Sequence, residues 1–407
     1  MGKPRVLVIA RTFPNSQFPT LGIYTQRLTD ASAAVARPTV IAAVPRTPPG
    51  MGWGTFGRFR AVEREQDRGG YRIVHPRILV GPGHRFHALD ARLALPGIRR
   101  AALALAAESK FDVIHAHFIY PDGVIAAQLG KDLGAPVVVS EHSVWRQWFQ
   151  RHPRVHRQVE RALPGITRLT AVSDSLRADM ETIVAGRVPI DVLPNVVDDE
   201  TFFLAPPAAT IDRNRLLFVG TIRHVKGLDV LVRALAVLRK TRPAITLIVV
   251  GGAFYRAYAR DERDVRVLVS ALGLDDRVRF LGERSASAVA DEMRQSAMLV
   301  VPSRRETFSL VTAEALACGI PVVATRCGGP EEIVTPDVGR LVAVDDVDAL
   351  GAGIEAVLDE RERFTPAILR ESAVSRYGSA IAAERIGTLY TRVMHSASRI
   401  PTQPAGA

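Results

Sequence analysis

Residues 297–327 read AMLVVPSRRETFSLVTAEALACGIPVVATRC, and this stretch contains the alternation that decides the fold. An apolar run (297–303) is followed by a short polar loop, by a segment rich in Ala and Leu, and by a second apolar run (321–327). Ser309 is a residue type that begins helices and Gly319 one that ends them, so the sequence predicts a helix from Ser309 to about Cys318. Strands that flank a crossover helix are parallel, which indicates a β–α–β unit.

The same alternation of apolar runs and amphipathic segments recurs along the whole chain. Runs such as ITLIVVGG (245–252) lack in–out alternation, as expected of parallel strands that are covered on both faces. Six runs before residue 204 and six after it are too many for one ordinary open sheet, and residues 204–214 have the composition of a linker. We therefore predict an α/β protein with two Rossmann-like, doubly wound parallel-sheet domains that face one another across a central cleft.

The boundaries of these domains follow from the same pattern. The first domain is predicted over residues 1–203 and the second over residues 204–378. The last helical segment, 379–394, fits neither repeat, and we expect it to pack back on the first domain. Ligands of such sheets bind outside the carboxyl ends of the strands, so the loops at those ends hold the candidate functional residues.

The composition of the 407 residues is that of a globular protein, with 47% hydrophobic and 23% charged residues. The first apolar run is too short for a secretory signal, and no run approaches the roughly 20 residues that span a bilayer. We therefore expect a cytoplasmic protein. Cys318 and Cys327 stand in no ligand-spaced motif, which predicts core thiols rather than a zinc site.

The chain is basic, because 53 Lys and Arg residues against 42 Asp and Glu residues give a formal charge of +11. Such a charge favours polyanions, namely nucleic acid, anionic lipid or phosphorylated small molecules. The most basic stretch, WRQWFQRHPRVHRQVERAL (145–163), allows two interpretations: contact with an anionic membrane surface, or a solvated helix with one packed aromatic edge. A recognisable nucleic-acid-binding motif is absent from the sequence, which argues against that class.

Two carboxylates mark the opening stretch. Glu306 stands in the loop at the carboxyl end of a strand, and Glu314 stands within a helix that is apolar nearly all round. A carboxylate buried among Ala and Leu side chains is costly unless hydrogen-bond donors satisfy it. Ligand hydroxyl groups would serve for Glu314, and so would an Arg from a neighbouring element; both interpretations stay open. A sugar and a ribose, which are both rich in hydroxyl groups, match the two acids.

A basic loop follows the apolar run at 215–220. Lys226 directly precedes Gly227 at the predicted start of a helix, and Arg223 stands shortly before it. Cations beside the free amides of a helix start favour an anion such as phosphate, although both residues are equally compatible with exposed loop charges. The loop lacks the GxxxxGK[ST] pattern, so it is not a P-loop.

Together these stretches resemble a known family. The segments VGTIRHVKGLDVLVRAL (219–235), VRFLGE (278–283) and RRETFSLVTAEALACGIPVVATRCGGPEEIV (304–334) are similar to those of retaining glycosyltransferases of the GT-B fold, in the large family 4. The pair Glu306-x7-Glu314 matches that family's signature. FDVIHAHF (111–118), TRLTAVSDSLR (167–177) and DVLPNVVD (191–198) also resemble family motifs, so the resemblance covers roughly the whole chain.

The resemblance implies roles for the matching residues of the second domain. Glu306 would contact the donor sugar, Glu314 the ribose hydroxyl groups, and Lys226 the diphosphate. Nearby backbone amides would come from Phe308, Ser309 and Leu310. Many relatives have Arg where this chain has Thr221, so Arg223 is a candidate for supplying the missing charge to the donor.

The resemblance also implies roles in the first domain. His142, in VVVSEHS, matches a histidine that lies near the transferred sugar and joins Lys226 and Glu306 as a candidate catalytic residue. Gly22, in the first strand-to-helix loop, would let the acceptor or the diphosphate approach. His115 and His117 are interpreted as structural residues or as acceptor contacts.

The expected reaction is transfer of a sugar, with retained anomeric configuration, from a UDP- or GDP-sugar to a hydroxyl acceptor. Neither a metal nor a cofactor is expected. The loop FPNSQFPTLGIY (13–24) resembles those of members that act on lipid-linked or polysaccharide precursors, which favours such an acceptor and peripheral membrane contact. A sugar-nucleotide epimerase and a noncatalytic sugar-nucleotide-binding protein are the alternatives.

Overall fold

The computed structural model describes residues 2–46, 55–80, 84–144, 146–206, 211–252 and 259–397. These residues form two compact α/β units. The first runs to Val196 and resumes at Ala380, and the second spans Val197–Ser379. The predicted class of two Rossmann-like parallel-sheet domains is confirmed.

The division between the units falls slightly before the predicted boundary at 203/204. Residues 197–203 belong to the second unit because its last helix holds them. Val197 donates its N–H to the carbonyl of Tyr377 at 2.8 Å, and Arg370 donates to the carbonyls of Phe202 at 2.7 Å and Asp199 at 3.1 Å. The sequence placed the boundary at the Pro-rich composition change, which carries no information about these contacts.

The first unit is built on a parallel sheet. Its strands are β1 Arg5–Ile9, β2 Arg37–Ile41, β3 Val44–Pro45, β4 Glu65–Asp67, β5 Arg72–Val74, β6 Arg77–Ile78, β7 Val113–His117, β8 Val137–Glu141, β9 Arg168–Ala171 and β10 Ile190–Val192. Eight of them form one sheet in the order β10-β9-β8-β7-β1-β2-β5-β4, and β3 pairs with β6 separately. Only the edge strand β4 is antiparallel within the described sheet. Both β4 and β5 escaped prediction, because their three-residue, charge-containing segments carry no apolar run.

Helices cover both faces of this sheet, since β7 and β8 are buried at every position. The helices of the unit are α1 Ile23–Ala33, α2 Thr55–Arg58, α3 Asp90–Glu108, α4 Val124–Leu133, α5 Arg146–Arg151, α6 Pro153–Ala162, α7 Asp174–Val184 and, at the C-terminal end of the chain, α15 Ser379–Ala397. The side chains of Ile386, Tyr390 and Val393 on α15 are buried in the core of the first unit, beside Val6, Val8 and Val113.

The second unit has a six-stranded, fully parallel sheet. Its strands are β11 Asp212–Val219, β12 Thr246–Val250, β13 Val278–Gly282, β14 Ser296–Val301, β15 Val322–Thr325 and β16 Gly339–Val342, in the order β13-β12-β11-β14-β15-β16. Its helices are α8 Leu228–Leu238, α9 Ala259–Ala271, α10 Ala286–Gln295, α11 Leu310–Ala317, α12 Gly329–Ile333, α13 Val347–Asp359 and α14 Pro366–Tyr377. Every residue of β14 is buried, as its uninterrupted apolar sequence predicts.

Each sheet has a point at which the direction of winding reverses. It lies between β1 and β7 in the first unit and between β11 and β14 in the second. Loops at the carboxyl ends of two such strands diverge and leave room for a ligand. The loops that carry Lys226 and Glu306 follow β11 and β14, so they stand at the reversal point of the second sheet. Among the described residues, none of the helices has the length and apolar character needed to cross a membrane.

Candidate functional site

The loop after β11 is held close to the end of β14 by one glycine. Gly227 has φ 67° and ψ 19°, a left-handed conformation, and it directly precedes α8. A Cβ atom on Gly227 would lie 1.9 Å from the carbonyl oxygen of Pro302. Only glycine fits there, because both the backbone angles and the space exclude a side chain. This close approach sets the position of Lys226, the preceding residue.

Lys226 and Glu306 form an ion pair at this reversal point. The Nζ of Lys226 lies 2.7 Å from Oε1 of Glu306, and the same oxygen accepts a 2.8 Å hydrogen bond from the hydroxyl of Ser303. The Glu306 side chain is 11% exposed and that of Lys226 28% exposed. Sequence reasoning assigned the two residues to different parts of a donor molecule and did not foresee that they contact each other without one.

The backbone of Glu306 is fixed on both sides. Its N–H donates to the carbonyl of Cys327 and its own carbonyl accepts from Gly329, both at 3.0 Å.

Burial raises the pKa of the Cys327 thiol to about 11 and that of Cys318 to about 12. Both thiols are therefore neutral near pH 7, as expected of packed rather than nucleophilic cysteines.

Arg304, which was not singled out from the sequence, binds the loop that carries Lys226. Its guanidinium donates to the two carboxylate oxygens of Asp229 at 2.9 and 2.8 Å, and its Nε lies 2.7 Å from a carboxylate oxygen of Asp345. Its Nη1 also donates to the carbonyl of His224, and its backbone N–H donates to the carbonyl of Val225 at 2.8 Å. The sequence held no signal for this cluster, because its members are far apart along the chain.

The N-terminal end of α11 differs from the prediction. Ser309 precedes the helix, but it has φ 73° and its side chain makes no capping bond to the backbone. A capping serine needs an extended backbone to aim its oxygen at the free amides. The hydroxyl of Ser309 instead lies 2.8 Å from that of Thr312. The C-terminal end of α11 agrees with the prediction, with Gly319 left-handed at φ 77° after Cys318.

The loop residue Phe308 is packed tightly. Its ring is buried and meets the ring of Tyr377 edge-on at 5.2 Å. A Cβ atom on Gly329 would lie 2.3 Å from the Cα of Phe308, so the backbones of these two loops touch. The segment from Phe308 to Leu310 is thus held at the start of α11, where the free amides of the helix lie.

Glu314 is buried within α11, at 6% exposure, as the sequence predicts. Its neighbours along the helix, including Ala313, Ala315 and Leu316, are at most 1% exposed. Arg223 lies on the surface at the start of the 3-10 turn His224–Lys226. Of these two predicted donor contacts, Glu314 is therefore buried and Arg223 is exposed to solvent.

In the first unit, three histidines form a stacked column: His115 in the middle of β7, His117 at its carboxyl end and His142 directly after β8. The rings of His115 and His117 lie 4.8 Å apart, and those of His117 and His142 lie 5.3 Å apart. His115 contacts the hydroxyl of Tyr390 through Nδ1 and that of Ser140 through Nε2, both at 2.8 Å. His115 and His117 are buried, which supports the structural interpretation of both residues.

Both ring nitrogens of His142 are engaged. Nδ1 lies 3.2 Å from Oδ1 of Asn195, and Nε2 lies 3.0 Å from Nδ1 of His117. Because Oδ1 only accepts, the Nδ1 of His142 donates to it, and Nε2 accepts from His117. Burial lowers the pKa of His142 to about 4 and that of His115 to about 3. His142 is therefore a neutral ring of fixed tautomer at pH 7.

Glu141 anchors the loops around His142 and was not singled out from the sequence. It is buried, its Oε1 accepts from the N–H groups of His142 at 2.9 Å and Ser143 at 2.8 Å, and its Oε2 accepts from Ile119 at 2.9 Å. An acid that ends a buried strand was the only sequence signal for it. It joins the loops after β7 and β8.

Gly22 also has a local structural reason. It is left-handed, with φ 68°, and a Cβ atom there would lie 2.0 Å from the carbonyl oxygen of Thr12. The loop after β1 thereby folds against the start of α1. The ring of Tyr24, in the first turn of α1, lies 4.7 Å from that of His142. The first unit thus brings the Gly22 loop and His142 together.

The basic segment 145–163 is packed on its aromatic side. Phe149 is buried, and the ring of Trp148 stacks on that of His152 at 4.7 Å. These contacts favour the packed aromatic edge over insertion of these rings into a membrane; Trp145 lies outside the described residues. Among the basic side chains of this segment that the structure describes, those of Arg151, Arg154, Arg157 and Arg161 are exposed.

Comparison with known protein families gives two matches. The family Glycosyltransferase Family 4 matches residues 55–201, and the family Glycosyl transferases group 1 matches residues 201–373. The two matches meet near the division between the units. Among the residues they include are His142 in the first and Lys226 and Glu306 in the second.

Similar curated proteins are D-inositol 3-phosphate glycosyltransferases. That of Thermobispora bispora is 31% identical over 371 residues, which cover 82% of this chain and 84% of that protein. That of Arthrobacter sp. (strain FB24) is 35% identical over 240 residues, which cover 54% of this chain and 55% of that protein. The chain thus matches about half the length of the Arthrobacter relative.

Similar solved structures share the fold at low sequence identity. Sucrose-phosphate synthase from Thermosynechococcus elongatus has a TM-score of 0.78 at 22% identity, covering 97% of this chain and 100% of that one. Anabaena HepE in complex with UDP-glucose has a TM-score of 0.70 at 18% identity, covering 96% of this chain and 100% of that one.

Proposed function

The chain belongs to the glycosyl transferases group 1 family, and we propose that it transfers a sugar from a nucleoside diphosphate sugar to a hydroxyl acceptor. The observation that carries this proposal is the contact of Lys226, Glu306 and Ser303 at the reversal point of the second sheet. A cation and a carboxylate side by side match the two parts of such a donor, a diphosphate and a sugar rich in hydroxyl groups.

The donor is proposed to bind the second unit. Lys226 moves from Glu306 to the diphosphate, with Arg223 and the amides of Phe308, Ser309 and Leu310 as further contacts. Glu306 then accepts hydrogen bonds from the sugar, and Glu314 accepts them from the ribose. A UDP-sugar is favoured over a GDP-sugar because UDP-glucose is bound by Anabaena HepE, which has a similar fold.

Negative charge develops on the diphosphate as the sugar leaves. Lys226 and the free amides at the start of α11 would stabilise this charge without a metal ion. The resemblance to retaining enzymes supports attack by the acceptor from the same face of the sugar, with the donor phosphate taking the acceptor proton. His142 is proposed to act in the first unit as a neutral ring that orients the transferred sugar.

The acceptor is proposed to bind the first unit and to be a phosphorylated alcohol. The net charge of +11 favours an anionic partner. The loop 13–24 supports a lipid-linked or saccharide precursor, and the name of the relatives, D-inositol 3-phosphate glycosyltransferase, supports a phosphorylated polyol. A lipid diphosphate saccharide and an inositol phosphate both carry a phosphate group. The experiment below therefore adds each acceptor separately.

A peripheral position on the cytoplasmic face of the membrane is part of this proposal. Arg154, Arg157 and Arg161 are exposed on α6, while Val155 and Val159 on the same helix are buried. An exposed arginine row attracts anionic lipid by charge alone, at about 1 kcal/mol for each residue near the surface. Co-sedimentation with phosphatidylglycerol vesicles should be lost at high salt and in the triple Gln variant of these residues. Equal sedimentation of the variant at low salt would exclude this surface.

The activity is tested by incubating the purified protein with UDP- and GDP-sugars. Release of nucleoside diphosphate should rise when a lipid diphosphate saccharide or an inositol phosphate is added, and NMR of the product should show the donor's anomeric configuration. Conversion of the donor sugar without any acceptor would indicate an epimerase instead. Tight donor binding without turnover under either acceptor would indicate a noncatalytic binding protein.

The ribose role of Glu314 is tested separately. Replacing Glu314 with Ala should weaken UDP binding about tenfold, since hydrogen bonds to a charged group contribute about 1.5–3 kcal/mol. Calorimetry with UDP and with inorganic diphosphate separates the two contributions, because only UDP has a ribose. Equal weakening for both ligands would contradict the ribose contact.

A further inference from the structure

Arg304 joins three separate elements around the Lys226 loop. It comes from the loop after β14, Asp229 from the first turn of α8, and Asp345 from the loop before α13. The two oxygens of Asp229 accept at 2.9 and 2.8 Å in a bidentate pair, and Asp345 lies 2.7 Å from Nε. A planar guanidinium held by two carboxylates has one orientation, whereas a lysine ammonium in its place would not be fixed in this way.

The same residue holds the backbone of the loop. The Arg304 N–H donates to the carbonyl of Val225 at 2.8 Å, and its guanidinium donates to the carbonyl of His224. Val225 and His224 are the two residues before Lys226. Together with the contact between Gly227 and Pro302, these bonds fix the chain on both sides of Lys226.

The setting of Arg304 makes it a clamp rather than a phosphate ligand. Its side chain is only 17% exposed, and carboxylate oxygens contact all three guanidinium nitrogens: those of Asp229 contact Nη1 and Nη2, and one of Asp345 contacts Nε. Burial opposes ionisation of Asp229, but hydrogen bonds and attraction from Arg304 outweigh it and lower the pKa of that carboxyl. Asp345 reaches Arg304 from a left-handed backbone, with φ 59°, which is uncommon outside glycine.

We propose that Arg304, held by Asp229 and Asp345, is a positioning residue that fixes the 224–227 loop so that Lys226 reaches the diphosphate of the donor. This inference rests on the proposed function of Lys226. Ammonium placement matters because a displacement of about 1 Å weakens a charge-assisted contact strongly. Arg304 itself touches no part of the donor in this scheme.

The test compares UDP with UMP, which lacks the second phosphate. Replacing Arg304 with Met should weaken UDP binding by about ten- to a hundredfold in calorimetry and leave UMP binding nearly unchanged. Arg304→Lys should recover part of the loss, because it keeps the charge but not the bidentate geometry. The matched control is Arg215→Met, which removes another partly buried arginine of the second unit that pairs with Glu292.

A double substitution shows whether Arg304 acts through Lys226. In the Lys226→Ala background, Arg304→Met should cause no further loss of UDP affinity. If Arg304→Met does not fold, Asp229→Asn is expected to give the same pattern. Equal weakening of UDP and UMP, or a further loss in the Lys226→Ala background, would overturn the positioning role alone. Absence of UDP and GDP binding to the wild-type protein would overturn the proposed function as well.

Discussion

At the scale of single residues, the contact between Lys226 and Glu306 changes the meaning of both side chains. Glu306 is proposed to hold the sugar and Lys226 the diphosphate, yet here the Glu306 carboxylate binds the Lys226 ammonium at 2.7 Å. With these proposed roles, the donor would bind by replacing Glu306 with a phosphate as the partner of Lys226. After transfer, Glu306 would compete with the remaining nucleoside diphosphate for Lys226.

Replacing Glu306 with Gln should therefore tighten UDP binding while it lowers transfer. We expect about two- to fivefold tighter binding, in the range of a partly exposed ion pair, and a turnover reduced by roughly two orders of magnitude. Calorimetry and initial rates measure the two effects. The gain in affinity should vanish in the Lys226→Ala background, and weaker UDP binding by Glu306→Gln would refute the competition.

The histidine column predicts how the free energy of unfolding depends on pH. The pKa values of His115 and His142 are lowered by burial to about 3 and about 4, whereas an unfolded histidine titrates near 6.5. The unfolded chain therefore takes up protons first as the pH falls. The stability that these neutral histidines contribute is fully present above about pH 6.5. Below that pH it is lost progressively, at about 1.4 kcal/mol per histidine for each pH unit.

Thermal unfolding between pH 7 and pH 5 measures this effect, because most carboxyl groups stay ionised in that window. The melting temperature should fall with pH in the wild-type protein and fall less in His115→Gln. A flat profile for the wild-type protein would show that these histidines are not buried in neutral form.

At the scale of elements, two left-handed glycines place loops against neighbouring backbones. Gly22 turns the chain into α1 beside Thr12, and Gly227 turns it into α8 beside Pro302. In both units the glycine follows the first strand of the sheet and precedes its first long helix. Gly22 was predicted to let a ligand approach. The structure adds a second reason for glycine there, because a side chain would clash with the backbone of Thr12.

Replacing Gly227 with Ala should displace the Lys226 turn. The added Cβ meets the Pro302 carbonyl at 1.9 Å, so the loop must move in addition to bearing a left-handed alanine, which costs about 1–2 kcal/mol. We expect a lower melting temperature and weaker UDP binding. Gly273→Ala is the control, because Gly273 is also left-handed but its nearest neighbour is a flexible Arg239 side chain at 3.9 Å. Equal UDP affinity in the two variants would contradict this argument.

At the scale of the whole molecule, the two units divide the proposed work. The second unit contains the basic loop, the carboxylates and the start of α11, which match a nucleotide sugar. The first unit contains the histidine column and the exposed arginine row of α6. The charge of +11 favours anionic ligands of either unit.

The proposed stabilisation of the leaving diphosphate by protein groups predicts that transfer needs no metal ion. Transfer from a UDP-sugar should be unchanged when EDTA is added to protein purified without divalent cations, because Lys226 and helix amides meet the developing charge. Initial rates with EDTA and with added Mg²⁺ measure this. A rate that depends on Mg²⁺ would assign part of that work to a metal ion.

The fold class follows from the sequence alone, because buried parallel strands must be apolar along their whole length and helices must alternate with them. The buried position of Glu314 follows in the same way from its apolar neighbours. The edge strand β4 and its neighbour β5 did not follow, since three-residue strands depend on pairing with their neighbours rather than on composition. Ser309 precedes the helix as predicted, but its side chain does not cap the helix, because a residue type does not reveal its backbone angles.

What the sequence by itself determined is therefore local and periodic: the two sheets, the start of the basic loop and the spacing of Glu306 and Glu314. Only the tertiary structure decided which distant side chains meet, such as Arg304 with Asp229 and Asp345, His142 with Asn195, and Lys226 with Glu306. The physical reason is that contacts between loops at the carboxyl ends of strands depend on strand order, and strand order is set by packing of the whole unit rather than by neighbours along the chain.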